Sequence, residues 1–417
     1  MNTNSFETYE SEVRSYCRRF PTVFVSAKGS KYIDEDGREF IDFFNGAGAL
    51  NYGHNNEYIK EKLVEYLESD GIIHALDMYT VPKREFIDAF EQKILKPRSL
   101  DYKIMFTGPT GTNSVEAALK LARKVKKRTN VFALMGAFHG MTLGALALTT
   151  DADSRKGAGV SLNDVTHIPA PYMFEGLDTI EYMQRLVDDD HSGVEKPAAL
   201  VIETLQAEGG IYEMGDEWLR AVRAFCDKND ILLIVDDIQV GCGRTGRFFS
   251  FEDAGIVPDM VCLSKSIGGY GMPMAIMLMK PELDIWTPGE HNGTFRGNQL
   301  SFVAAKAGIE YMVDNRVDEQ ARAKGEIIKN FLTKEILPLD DRIKIRGKAM
   351  IWGIDFTDAD EKMCSKVIKS CFDGGVIIEC AGRKNAVLKI MAALTIEEDV
   401  LLKGLGVLRD AIKENLK

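Results

Sequence analysis

The chain has 417 residues, 45% of them hydrophobic, and a formal net charge of −11. Such a length predicts two or three packed units rather than one core, and the acidic balance argues against nucleic acid or an anionic membrane surface as a main partner, since both need a basic footprint. The seven cysteines show no C-x-x-C spacing, so neither a zinc knuckle nor a disulfide frame is expected.

The amino terminus has no basic start followed by an apolar core, and no run reaches the ~18 apolar residues of a membrane span; the chain reads as cytoplasmic and unanchored. Residues up to about 50 form a lead-in segment with an Asp36-Gly37 turn between short strand-like runs. From about 57 to 95 the apolar spacing of Ile59, Leu63, Tyr66 and Leu67 is helical. Strands and helices then alternate. KIMFTG reads as strand, NSVEAALKLARKVKK as helix, VFALMGAF and AALVIETL as strands, DEWLRAVRAFCDKND as helix, and ILLIVDD and DMVCLSKS as strands. Continuous apolar strands of this kind suit an α/β sheet buried under helices on both faces. After about residue 300, two long helices (QLSFVAAKAGIEYMVDN and EQARAKGEIIKNFLTKEIL) and short strands predict a smaller α+β domain. The expected division is 1–50, joining the small domain; 51–300, the large ligand-binding domain; and 301–417, the small domain.

Three segments carry candidate chemistry. In FTGPTGTNSVEAALKLAR, Gly108, Pro109, Gly111 and Thr112 form a turn between strand and helix. Unpaired amides and a hydroxyl at a helix start suit a phosphate, although a plain turn with a helix cap reads equally well. The strand ILLIVDD ends in Asp236 and Asp237 at the edge where open α/β sheets hold ligands. A carboxylate there favours a cation such as a protonated pyridine nitrogen; an acidic helix cap is the plainer alternative. Gly241-x-Gly243-x-x-Gly246 superficially matches a dinucleotide fingerprint, but DDIQV separates it from the strand and no helix follows, which disfavours that reading. Lys265 ends the apolar run DMVCLSK, just before Gly268-Gly269. A free lysine amine is almost wholly protonated at neutral pH, an obstacle that imine formation with an aldehyde removes; alone, a solvated lysine is the plainer reading.

Together the three segments serve three parts of one cofactor. With GAGALNYGHNN, FHGMTLGALALT, ETLQAEGG, LSKSIGGYGMP and GTFRGNQLS, the chain from about residue 20 onward resembles the class III (ω-) aminotransferases of the fold type I pyridoxal 5'-phosphate (PLP) enzymes. The resemblance implies a mostly parallel seven-stranded sheet covered by helices, plus a small domain from both chain ends. It implies PLP bound covalently to Lys265, with Asp236 at the ring nitrogen, Gln239 at the ring hydroxyl, Phe138 stacked on the ring, and Gly111 and Thr112 at the phosphate. Thr294 in GTFRGN corresponds to a family threonine that reaches the phosphate of a neighbouring subunit, implying a homodimer or higher oligomer with shared sites. Lys265 then serves as both anchor and general acid/base, with ping-pong kinetics. His139 is given no role, and no metal is expected.

Substrate choice rests on finer resemblances. Many relatives carry, just after the aromatic-His-Gly motif, an arginine that grips a distal carboxylate; this chain has Met141. FNGAGALNYGHNN, FHGMT and DIQVGCGRTG resemble the branch that exchanges an amino group between L-glutamate and L-aspartate 4-semialdehyde, giving L-2,4-diaminobutyrate and 2-oxoglutarate in ectoine biosynthesis. In relatives a glutamate neutralises an arginine and releases it when an α-carboxylate arrives. Glu208 matches the first partner, while Lys389 stands where many relatives have arginine and lacks its bidentate fork. The alternatives are an ω-aminotransferase for ornithine, 4-aminobutyrate or a diamine, a racemase or mutase on the same fold, and a catalytically silent scaffold.

Overall fold

The computed structural model of the protein describes residues 3–360 and 362–416. Its largest sheet has seven strands: β1 (Lys103–Gly108), β2 (Val131–Leu134), β3 (Val165–Ile168), β4 (Ala199–Ile202), β5 (Leu232–Asp236), β6 (Met260–Leu263) and β7 (Ala275–Met279), in the order β1-β7-β6-β5-β4-β2-β3. Neighbours pair in parallel except around β7, which runs antiparallel to both β6 and β1. Alternate residues fall into two separate apolar layers. Phe132, Leu200, Leu233 and Val261 face one, and Val131, Val201, Ile234 and Cys262 face the other, as the period of two along a strand requires. Helix α1 (Gly111–Lys126) covers the second face with Val115, Ala118, Leu119 and Ala122.

Several elements are shorter than their apolar runs. VFALMGAF is strand only as far as Leu134, and Gly136, at φ 88°, turns the chain toward Phe138. AALVIETL breaks after Ile202, and Leu205–Gln206 pairs instead with Tyr212–Glu213. The helical spacing read across 57–95 is two helices, Glu57–Glu68 and Val81–Phe90, each opened by a capping side chain, Asn56 and Thr80. The helix Gln299–Asp314 packs against both of them.

The chain ends build two smaller sheets. Phe24–Lys28, Lys31–Asp34 and Glu39–Asp42 form an antiparallel meander that Val376–Ile377 joins in parallel. Its Asp36-Gly37 turn closes as expected, with Gly37 N–H donating to the Asp34 carbonyl at 3.0 Å. Lys344–Lys348, Ile351–Asp355, Val387–Ile390 and Glu379–Ala381 form the other sheet, where Glu379 stands directly opposite Lys389. Among the described residues no helix is long and apolar enough to cross a membrane.

Candidate active site

Asp236 closes β5, Lys265 follows the end of β6 by two positions, and Gly111 opens the helix after β1. Open α/β sheets hold their ligands at this carboxyl edge. One cavity there is lined by Gly111, Thr112, Phe138, Glu208, Asp236, Gln239 and Lys265, together with His139 and Glu203.

Lys265 has a left-handed backbone, φ 53°, a conformation costing a non-glycine residue about 1–3 kcal/mol. Its neighbours hold it there: the Ser264 hydroxyl donates to the Met274 carbonyl at 2.8 Å, and the Ser266 hydroxyl to the Gly48 carbonyl at 2.5 Å. Gly269, φ 70°, lets the same turn touch the helix Gln299–Asp314, where a Cβ would lie 2.0 Å from the Ala304 carbonyl oxygen. Burial draws the Lys265 amine below the ordinary lysine range; Glu208 opposes that shift, Lys389 adds to it and Asp236 opposes it.

The Asp236 carboxylate is fixed from both sides. His139 Nδ1 lies 2.7 Å from its Oδ2, and its Oδ1 accepts the Ile238 N–H at 3.2 Å. Burial works against a charged His139, but the hydrogen bond and charge of Asp236, reinforced by Glu203, outweigh it and raise the histidine's pKa. His139 is thus a positioning group that sequence reasoning left without a role, because its partner is 97 positions away. Glu203 was also missed, though it lies in ETLQAEGG. Its oxygens accept the Phe138 N–H at 3.1 Å and the Ala207 N–H at 3.2 Å, fixing the peptide from which the Phe138 ring projects, and burial pushes its carboxyl up to about 7.

Gln239 donates through Nε2 to the Ala47 carbonyl at 3.0 Å, while its buried Oε1 has no hydrogen-bond partner among the described residues. At the helix start, the Thr112 and Thr142 hydroxyl oxygens are 2.5 Å apart, and Thr142 donates onward to Glu116 at 2.6 Å. A Cβ on Gly111 would sit 3.0 Å from Ile238 Cδ1, so the chain passes close to the floor of the cavity. A braced carboxylate, an open buried acceptor, a helix start and a buried amine fit a cofactor with a basic ring nitrogen, a ring hydroxyl, a phosphate and an aldehyde. PLP has these four groups, so the residues present fit it.

From the cavity wall Glu208 pairs with Lys389, which is fully buried; Lys389 Nζ is 2.5 Å from Glu208 Oε1 and 2.8 Å from Glu379 Oε1. Burial alone would lower the Lys389 pKa, but the two carboxylates raise it, and Lys389 in turn lowers that of Glu208. Glu379 keeps a raised pKa, burial being the larger effect. Met141 and Thr294 do not line the cavity. Met141 is 56% exposed, and Thr294 sits on an exposed loop beside Phe295, whose ring meets that of His74 at 5.4 Å.

The sequence profile of the class III aminotransferases matches residues 14–412. The chain belongs to the class III aminotransferases. Within this family it is 52% identical over 412 residues to a diaminobutyrate–2-oxoglutarate transaminase of Halalkalibacterium halodurans, covering 98% of this chain and 96% of the relative. A protein of the same name from Streptomyces coelicolor is 52% identical over 415 residues, covering 98% of this chain and 97% of the relative. One from Bordetella parapertussis is 47% identical over 419 residues, covering 100% and 96%. Among solved structures, an S-selective transaminase from Arthrobacter sp. superposes with a TM-score of 0.88 at 21% identity over 99% of this chain and 97% of that one. An ornithine aminotransferase from Toxoplasma gondii does so with a TM-score of 0.85 at 22% identity, over 99% and 93%. The fold of this class III aminotransferase is therefore that of the aminotransferases: an α/β large sheet, mostly parallel, with smaller sheets beside it.

Proposed function

We propose that this aminotransferase binds PLP on Lys265 and exchanges an amino group between L-glutamate and L-aspartate 4-semialdehyde, forming L-2,4-diaminobutyrate and 2-oxoglutarate. The observation that carries the substrate assignment is 47–52% identity, over 98–100% of the chain, to transaminases named for that pair. Ectoine biosynthesis in the cytoplasm is the setting that goes with it.

When bound, PLP supplies an aldehyde that takes up the substrate's amine and a ring that draws electron density from the carbon losing its proton. The protein's residues do the rest. Asp236, aimed by His139, would keep the ring nitrogen protonated, and Gln239 Oε1 would accept the ring hydroxyl's proton. Phe138 would cover one ring face, while the Gly111 end of α1 and the Thr112 hydroxyl would take the phosphate. The Lys265 amine, drawn below its ordinary pKa by burial, would remove the proton from the reacting carbon and return it.

The two substrates differ in what that carbon carries. Glutamate reacts at the carbon bearing its α-carboxylate; diaminobutyrate reacts at C4, which has none. With diaminobutyrate the Glu208–Lys389 pair stays closed, and with glutamate Lys389 turns its charge to the α-carboxylate as Glu208 withdraws.

Assembly as a homodimer or higher oligomer is part of the proposal. Ile72, Ile73, Leu76, Met78 and Tyr79 are all exposed, and the His74–Phe295 ring contact joins this apolar stretch to the loop of Thr294. An apolar patch of this kind favours a partner, which would bring Thr294 toward the neighbouring subunit's phosphate.

The test is glutamate formation from 2-oxoglutarate with a panel of amines. Diaminobutyrate should be used in preference to ornithine, 4-aminobutyrate and putrescine. A clear preference for any of the others would refute the assignment.

A further inference from the structure

The proposed substrate pair has a chemical regularity. In diaminobutyrate and aspartate 4-semialdehyde the carboxylate carbon lies three bonds from the reacting carbon C4; in glutamate and 2-oxoglutarate the distal carboxylate carbon also lies three bonds from the reacting carbon C2. One fixed cation therefore suits the distal carboxylate in both half-reactions, leaving Lys389 to the carboxylate that only glutamate carries. Met141 supplies no such cation.

A second, larger cavity opens beside the first and shares Phe138 and Glu208 with it; Arg19 lines its wall, as does Arg383. The neighbouring arginines on this segment are engaged, Arg14 with Glu10 and Glu12, and Arg18 with Glu12. Arg19 has no hydrogen-bond or ion-pair partner among the described residues, although it is half-buried. Its short helix, Tyr16–Arg19, is pinned at both ends by rings: Tyr16 lies 4.9 Å from Phe44, and the buried Phe20 lies 5.9 Å from Phe372. Burial and then the charges of Glu379 and Glu208 raise the Tyr16 phenol's pKa, and the cavity that Arg19 lines is also bounded by Glu208 and by Cys380, the neighbour of Glu379 in sequence. Arg383, by contrast, is exposed and leans on the Tyr172 ring, 6.0 Å from its centroid. A half-buried guanidinium with open donors, on a cavity that borders the reaction site across Phe138 and Glu208, suits a carboxylate.

Resting on the substrate pair proposed above, we infer that Arg19 is the specificity-determining anchor for the distal carboxylate in both half-reactions, the task that Met141 cannot perform. It selects substrates whose carboxylate stands three bonds from the reacting carbon.

The test compares diaminobutyrate with 1,3-diaminopropane, the same molecule without its carboxylate. Single-turnover rate constants of the holoenzyme are followed by cofactor absorbance for wild type, Arg19→Ala, Arg19→Lys and Arg383→Ala. In Arg19→Ala the diaminobutyrate-to-diaminopropane ratio should fall roughly 10- to 100-fold, the range for losing a charged hydrogen bond. Arg19→Lys should fall between, the glutamate half-reaction should weaken alongside, and Arg383→Ala should keep the wild-type ratio. Calorimetric binding of glutarate, glutamate without its amine, should weaken in Arg19→Ala by a similar factor, while circular dichroism and melting confirm folding. An unchanged ratio in both folded Arg19 variants, or a collapse in Arg383→Ala instead, would overturn the inference. Wild-type protein that ignores diaminobutyrate would refute the substrate pair itself, a separate result.

Discussion

Lys389 Nζ lies 2.5 Å from Glu208 Oε1, and the lysine is wholly buried, with Glu379 on its other side at 2.8 Å. The cation at the centre of the proposed substrate switch is therefore clamped between two carboxylates. One of them faces the reaction site, and the other is fixed in the sheet opposite Lys389.

Replacing Lys389 by Met should destabilise the protein by about 3–5 kcal/mol, because it leaves buried carboxylates without their cation. Melting of Lys389→Met against Lys389→Met/Glu379→Gln checks this. The double variant should recover part of the loss, and a double variant no more stable than the single one would count against the clamp.

The same cation should matter unequally to the two substrates. Lys389→Ala is expected to slow the glutamate half-reaction roughly 10-fold or more relative to the diaminobutyrate half-reaction, the scale of one lost charged hydrogen bond. Single-turnover rates with each substrate decide it, and equal losses, or none, would refute the switch.

Asp237 is buried beside Asp236, and burial pushes its carboxyl up to about 7. Between the ordinary aspartate range and that value the folded protein keeps a proton that the unfolded chain gives up. Stability from this group is full at low pH and declines as pH rises through the window. Asp237→Asn removes the decline. The melting temperature of the variant relative to wild type should rise between about pH 5 and about pH 8; a constant difference would contradict the assignment.

Shared sites can be tested with two inactive parents. Lys265→Ala lacks the amine, and Thr294→Ala should lack the partner's phosphate contact. Mixed dimers should regain activity, because the site built on the Thr294→Ala subunit takes its threonine from the other chain. No recovery from co-refolded parents would place Thr294 outside the neighbouring site.

The carboxyl ends of β5 and β6 were legible in the sequence because buried parallel strands are continuous apolar runs, and the polar residues at or just after their ends, Asp236 and Lys265, stand out. Phe138 and Gln239 followed from the family motifs. What was not legible depends on contacts distant in sequence. His139 reads as an ordinary core histidine until β5 brings Asp236 against it, and Glu379 has no motif at all, gaining its place from the antiparallel register with Lys389. Arg19 lies in a stretch that also holds Glu7, Glu10, Glu12, Arg14 and Arg18, and only the fold separates it from its ion-paired neighbours. The helical spacing of 57–95 concealed a break because the period resumes at Val81, after the non-helical stretch 69–80.

The role of Lys265 is tested most directly by the rate of glutamate formation from diaminobutyrate and 2-oxoglutarate by wild-type and Lys265→Ala protein, both supplied with PLP. Steady turnover is expected of the wild type, with none detectable in the variant, which should also lack the wild-type cofactor absorbance band. A Lys265→Ala protein that still completes the transamination would contradict that role.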